Sequence, residues 1–309
     1  MSGREKLLIT GGLGNLGSWL TYHFSEKFDV YVLSKSVKSE LACDYKVIQC
    51  DITNSDELQK KLNIEFDYCI HTASYNEFFH EGYAKQALLI NTLGTRNLIE
   101  ALKDTKIKNF IYLSTFHVYG ATKGIITEES TVSPKNDYAS THLFAEYYLK
   151  QFFSTHNFHS IIFRLTNSYG TPQYKNSTKW YLVLNDLVKS AYNEHKIILK
   201  GNGKAIRDFI WMGDVCTCIE KALFLQEHNL FNLSSTQTLS MLDLAKKVQK
   251  IYLKKYSNKI PIELNNEDKT EVEYLRVENS KLLSKIDLKF HDKFDKEIEK
   301  IFNLLEKSR

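Results

Sequence analysis

The run Ile9-Thr10-Gly11-Gly12-Leu13-Gly14-Asn15-Leu16-Gly17 spaces its glycines as a phosphate-holding turn does. Leu7-Leu8-Ile9 before it is short and apolar, and Trp19-Leu20 and Phe24 after it recur at helical spacing. The predicted order is strand, glycine turn, helix. Gly12 is expected to make the tight turn, Gly14 to let the backbone approach a pyrophosphate, and Gly17 to seat the helix close to the strand. The first N–H groups and the dipole of that helix would then face the phosphates. A plain strand–turn–helix corner could carry the same glycines, so the elements around the run decide what it means.

Those elements alternate. Strands are predicted at 29–33, 46–50, 68–71, 109–114 and 160–164, with helices near 55, at 83–103 and at 138–155 between them. Strands separated by helical patterns imply βαβ units and a doubly wound parallel sheet. Ligands of such sheets lie beyond the carboxyl ends of the strands. From about Asn167 the pattern loosens. A helix is predicted over 179–194, and segments near 208–214 and 230–233 read as strands that return to the main sheet. The expected organisation is a nucleotide-binding domain over 1–166 and a smaller, partly interleaved α/β substrate domain over 167–309, with a cleft between them.

Composition narrows the partners. The chain has 309 residues, 43% of them hydrophobic and 25% charged, with a net charge of +4. So small and evenly spread an excess predicts neither a nucleic-acid nor a membrane partner, but suits an anionic small ligand. No run of 18 apolar residues and no leader-like segment before the first strand is read, which predicts a cytoplasmic protein. The cysteines are Cys43, Cys50, Cys69, Cys216 and Cys218, an odd number without a CxxC pair. Reduced thiols and no metal site are expected.

Further motifs stand at strand ends: Asp51-Ile52-Thr53, His71-Thr72-Ala73, Asn91-x-x-Gly94-Thr95, Ser114-Thr115-x-x-Val118-Tyr119-Gly120, Tyr138 opening a helix, Arg164-x-x-Asn167-x-Tyr169-Gly170 and Arg207-Asp208-Phe209-Ile210. With the glycine turn, in this order and at these spacings, they resemble the extended short-chain dehydrogenase/reductase family, in its branch acting on nucleotide sugars. The resemblance covers nearly the whole chain and implies a Rossmann-type sheet. It also implies an NAD(P)-dependent oxidoreductase for nucleotide diphosphate sugars, as found in surface-polysaccharide pathways.

The resemblance assigns roles by position. Tyr138 would be the acid/base, with Thr115 holding the sugar hydroxyl near it. A phenol near pKa 10 needs a depression of about three units to work near neutrality. Family members place a lysine four residues after the tyrosine. Here that residue is His142, which can bond a ribose hydroxyl but pulls on the phenol less at neutral pH. A slower enzyme, a shifted pH optimum or a degenerate site would each fit. His117 stands where related dehydratases and decarboxylases carry an acid, which argues against 4,6-dehydration.

The cofactor is expected against Gly11, Gly14, Asn15, Leu16, Gly17, Thr72, Ala73, Asn91, Tyr138 and His142, with Asp51 and Ile52 at the adenine. Ser34 and Lys35 close the second strand where an acid would mark NAD. NAD is favoured, and NADP is the alternative. On the substrate side the resemblance points to Thr115, His117, Asn167 and Arg207, the last suited to phosphate oxygens. Lys179 and Arg276 are further candidates. The resemblance also implies a homodimer through the helices at 83–103 and 138–155, with ordinary burial against the sheet as the other reading of their apolar faces. The expected reaction is oxidation of the sugar C4 hydroxyl, as a 4-dehydrogenase or 4-epimerase. A 4-keto sugar reductase and a non-catalytic dinucleotide-binding scaffold are the alternatives.

Overall fold

A computed structural model of the chain describes residues 3–37, 41–77, 80–174, 179–225, 227–265, 267–269, 271 and 273–307. Its first half runs β1 (Lys6–Thr10), α1 (Asn15–Phe24), β2 (Asp29–Ser34), β3 (Lys46–Gln49), α2 (Ser55–Lys61), β4 (Tyr68–His71), α3 (Tyr83–Ala87), a π-helical segment (Leu88–Gly94), α4 (Thr95–Leu102) and β5 (Asn109–Thr115). A 3₁₀ turn (Phe116–Tyr119), β6 (Gly124–Ile126), α5 (Asp137–His156) and β7 (Ser160–Leu165) follow. The second half has β8 (Asn167–Tyr169), α6 (Val183–Glu194), β9 (Ile197–Leu199), β10 (Ile206–Trp211), α7 (Met212–Ala222), β11 (Asn229–Leu233) and β12 (Thr238–Ser240). It ends with α8 (Met241–Tyr256), β13 (Ile262–Leu264), β14 (Leu275–Val277), α9 (Ser280–Leu283) and α10 (Phe294–Glu306).

Seven strands form one sheet in the order β11-β7-β5-β4-β1-β2-β3, and every neighbouring pair is parallel. The central strands are apolar on both faces because helices cover both faces. Leu7 and Ile9 face the layer of α1 and α7, among Leu20, Phe24 and Ile219. Leu8 faces the opposite layer, with Leu98, Phe110 and Leu149. The strand order reverses between β1 and β4, so the loops leaving these strands open a crevice at the sheet's carboxyl edge.

The segment 229–233 joins the main sheet beside β7, as expected. The segment near 208–214 does not. β10 pairs with β8 in parallel and β12 antiparallel in a three-stranded sheet, and residues from Met212 onward are helical. The reason lies at Thr166, whose N–H donates to Leu233 O. β11 thereby takes the edge beside β7, and the chain beyond Leu165 turns away to pair with β10. A second core, including Leu187, Val188, Leu244, Val248, Ile298 and Phe302, fills the layer of α6, α8 and α10. The helix predicted over 83–103 is continuous except that residues 88–94 are wound as a π-helix. The helix predicted from 179 starts at Val183.

Candidate active site

The glycine turn is built around Gly11. Its φ is +67°, and its N–H donates to Leu33 O at 2.8 Å. The tight turn therefore falls one residue earlier than expected, because Gly11 rather than Gly12 is left-handed. A Cβ on Gly11 would stand 2.8 Å from the Ala73 backbone, and one on Gly17 would run into the Gly11 carbonyl. Gly12 is held small for another reason: a Cβ there would meet Thr21 and Val32. Helix α1 begins at Asn15 with Gly14 as its N-cap, without a capping side chain and without an acid in its first turn. Its first N–H groups are thus left for a ligand. Leu16 packs partly against the core, and Asn15 lies beside Met212, with Nδ2 3.9 Å from Sδ.

The strand ends around this turn are tied together. Thr72 Oγ1 donates to Thr10 O at 2.7 Å, and Ala73 N–H donates to Thr10 Oγ1 at 3.3 Å. Ser34 Oγ donates to the carbonyl of Ser36 at 2.9 Å. Lys35 pairs with Asp51 at 2.8 Å, and Asp51 Oδ1 also accepts from Thr53 N–H and Oγ1. Burial pushes the Asp51 carboxyl up, but Lys35 and Thr53 together outweigh it and hold it below its ordinary value. Lys35 is thus engaged by a carboxylate instead of standing alone for a 2′-phosphate. Ile52 is buried against Gly94. Asn91, expected at the cofactor, is 1% exposed and is engaged by protein groups. Its Oδ1 accepts from Tyr75 N–H at 2.6 Å, and its Nδ2 reaches Tyr75 O and Thr141 Oγ1, both at 3.0 Å. It shapes the loop after β4 and ties that loop to α5.

Thr115, Tyr138 and His142 come together at the carboxyl end of β5. Thr115 caps the 3₁₀ turn by accepting from His117 N–H at 3.2 Å. Helix α5 is capped by Asn136, whose Oδ1 accepts from Ala139 N–H at 2.9 Å. This sets Tyr138 at the helix's open end and His142 one turn further. Burial pushes the Tyr138 phenol up to about 12, and its hydrogen bond with Thr115 works against that rise. The His142 ring meets Tyr138 edge-on, centroids 4.6 Å apart, and burial followed by His117 pushes it down to about 3. His117 lies 6.3 Å from Tyr138, centroid to centroid, and is pushed down by burial and then by the charge of Arg207.

Arg207 itself is pushed down by burial, and no carboxylate among the described residues pairs with it. Arg276 differs: it is half exposed on β14 and paired with Glu278 at 2.6 Å. Asn167 Nδ2 donates to Asp208 O at 2.9 Å and lines a small cavity with Asn15, Tyr169, Leu184, Asn185 and Met212. Lys179 pairs with Glu77 at 3.1 Å and also bonds Asn76 and Tyr181.

A sequence profile of the NAD dependent epimerase/dehydratase family matches residues 7–233. The chain belongs to this family. It is 30% identical to a dTDP-D-glucose 4,6-dehydratase of Dictyostelium discoideum, over 79% of this chain and 61% of that one. The chain therefore spans less than two thirds of that relative. Among solved structures, a UDP-N-acetylglucosamine 4-epimerase from Methanobrevibacter ruminantium M1 superposes with a TM-score of 0.86 at 20% identity, covering 99% of this chain and 100% of that chain. A UDP-glucuronic acid 4-epimerase from Bacillus cereus, in complex with UDP-glucuronic acid and NAD, gives 0.82 at 20% identity over 98% and 100%. At such identities the likeness speaks for the fold.

The cofactor of the epimerase/dehydratase family is NAD. The glycine turn fits it: Gly11 packs on the Ala73 backbone and Gly17 on the Gly11 carbonyl, which holds the turn tight beside an α1 N-terminus that lacks a capping side chain. Sequence reasoning missed the residues that brace this member's site. Ser74 Oγ lies 3.0 Å from His142 Nε2, and the Tyr112 hydroxyl lies 2.7 Å from His142 Nδ1. Tyr112 sits in a strand buried on both faces, where alternation marks no residue as polar-facing. Nothing local distinguishes Ser74.

Proposed function

We propose that the protein is an NAD-dependent nucleotide-sugar oxidoreductase acting on the sugar C4 hydroxyl. The observation that carries this reading is the Thr115–Tyr138 pair at the end of β5, with the Arg207 guanidinium, which no carboxylate among the described residues pairs, beside the neighbouring His117. Bound NAD would supply the hydride acceptor, held by the Gly11–Gly17 turn, Thr72, Ala73, Ser34 and Asp51. Tyr138 takes the hydroxyl proton, and Thr115 holds the oxygen in line with it. Arg207 and Asn167 hold the diphosphate, and His117 faces the sugar.

The product is a 4-keto sugar nucleotide, released as such or reduced on its other face to the C4 epimer. Elimination of water would need a further acid/base pair. Phe116-His117 supplies no carboxyl group, and the charge felt by His117 is that of Arg207. We therefore separate this chain from 4,6-dehydration despite its likeness to a dehydratase. Exposed apolar side chains on the π segment and α5, including Leu88 and Phe144, support a homodimer through these helices.

The test is incubation with NAD and a panel of UDP-, GDP-, CDP- and dTDP-sugars. The expected products are the C4 epimer or the 4-keto sugar with reduced nicotinamide, each with its full complement of oxygen. A product that has lost one water, or no turnover with any donor, would overturn the reading.

A further inference from the structure

His142 has both ring nitrogens engaged by protein groups. It is 2% exposed, and its ring stacks on Tyr112 at 27° with centroids 5.8 Å apart. Tyr112 stacks in turn on His71 at 25° and 5.5 Å. His71 is fully buried, with Nδ1 2.5 Å from Thr10 Oγ1 and Nε2 2.8 Å from Thr95 Oγ1. The three rings form a buried column from the ends of β1 and β4 to the edge of Tyr138.

Counting donors and acceptors fixes the hydrogens along this column. Thr95 Oγ1 donates to Asn91 O at 2.6 Å, so it accepts from His71 Nε2–H. His71 Nδ1 then accepts from Thr10 Oγ1, which itself accepts from Ala73 N–H. The reverse order would leave the Thr10 hydroxyl hydrogen without an acceptor. Burial holds the Tyr112 phenol far above its ordinary value, so it keeps its proton and acts as a donor. Among the described residues its hydroxyl has hydrogen-bond geometry to His142 Nδ1 alone, 2.7 Å away, which makes that nitrogen the acceptor. The hydrogen of His142 therefore sits on Nε2, facing the exposed Ser74 hydroxyl.

The titratable groups facing His142 are Tyr112 and His71 from the sheet, Tyr138 on its own helix, and His117 beyond. Glu146, one turn further along that helix, is neutralised by its ion pair with Arg164 at 2.7 Å, so no free carboxylate favours a charged ring.

We propose that Tyr112 is a positioning residue: by donating to Nδ1 it fixes the Nε2–H of His142, which with the Ser74 hydroxyl forms a neutral donor for a ribose hydroxyl of the cofactor. A tautomer locked this way supplies the ribose donor at constant charge, without the pull of an ammonium on the Tyr138 phenol. The donor role rests on the function proposed above; the tautomer does not, so the two can fail separately.

Nitrogen-15 NMR of histidine-labelled protein, with His142 assigned by a His142→Gln variant, reads the tautomer directly without cofactor. The wild type should show a neutral Nε2–H ring from pH 5 to 8, and Tyr112→Phe a mixture of tautomers. Turnover supplies the second readout. Tyr112→Phe should lower kcat/KM about tenfold in the wild type and less than about twofold in a His142→Lys background, where the side chain carries its own donor. An Nδ1–H ring in the wild type would overturn the proposal even if Tyr112→Phe failed to fold. So would an unchanged tautomer in Tyr112→Phe, or an equal loss in both backgrounds. Absence of turnover with an Nε2–H ring present would instead count against the reaction proposed for the site.

Discussion

A phenol that is to accept a proton has to lose its own first, and Tyr138 has little help in doing so. Burial drives it up to about 12, and the imidazole one turn away is driven down to about 3 and so stays uncharged. Turnover limited by the phenolate should therefore climb with pH through the alkaline range. His142→Lys brings an ammonium to the same turn and favours the phenolate, so the rising limb of the kcat profile should move to lower pH by about one unit or more. An unmoved limb would show that the group titrating is not this phenol. Tyr138→Phe should slow hydride transfer by on the order of 10²–10⁴, measured in single turnover with the fold checked by circular dichroism.

A second residue carries a pH signature of its own. Asp208 is 2% exposed, and burial raises its carboxyl from 3.8 to about 6. A raised carboxyl contributes stability that is complete below pH about 4 and lost as pH climbs through 6. Asparagine has no proton to lose there. Asp208→Asn should unfold at higher denaturant than the wild type at pH 7.5, by on the order of 2 kcal/mol, with the difference gone near pH 4.

Among the elements, the turn between β1 and α1 was the most legible, because its grammar is local. The apolar run, the four glycines and the helical spacing all lie within twenty residues. What the letters did not reveal was which glycine turns left-handed. That depends on where the last β1 hydrogen bond falls, and the Gly11 N–H bond to Leu33 moves it forward by one. The π-wound stretch 88–94 was also hidden, since one extra residue per turn barely disturbs apolar spacing. The tightest constraint is Gly17. Gly17→Ala forces a methyl onto the Gly11 carbonyl and should cost about 1–3 kcal/mol in stability. It should also weaken NAD binding at least tenfold by titration calorimetry, because the displaced turn can no longer offer its N–H groups together. Unaltered affinity would show that the cradle yields more easily than its geometry implies.

Across the whole molecule, pairing between distant strands set the limit of what could be read. Residues 206–211 and 229–233 both look like strands, yet nothing in either run says which sheet will take it. The main sheet took one, and β8 took the other. The candidate site was legible where chemistry follows strand ends, as at Thr115 and Tyr138, and illegible where a partner arrives from across the fold, as Tyr112 and Ser74 do at His142. Assembly belongs to this scale as well. Leu88, Leu93, Phe144 and Tyr147 are 51, 40, 53 and 50% exposed on the π segment and α5, more greasy surface than a solitary subunit needs there. Phe144→Asp should convert a dimer to a monomer in light scattering without lowering the melting temperature, and a monomeric wild type would dispose of the interface.

The lateness of β11 reaches back to the ribosome. β7 is complete at Leu165, but its neighbour does not emerge until Asn229, about sixty residues later. At roughly 5–20 residues per second, the nascent chain carries a bare, apolar strand border for several seconds. Throughout that interval Ile161, Ile162 and Phe163 lie open to any extended peptide nearby, so faithful biogenesis of this enzyme hinges on how quickly translation delivers the strand that seals them.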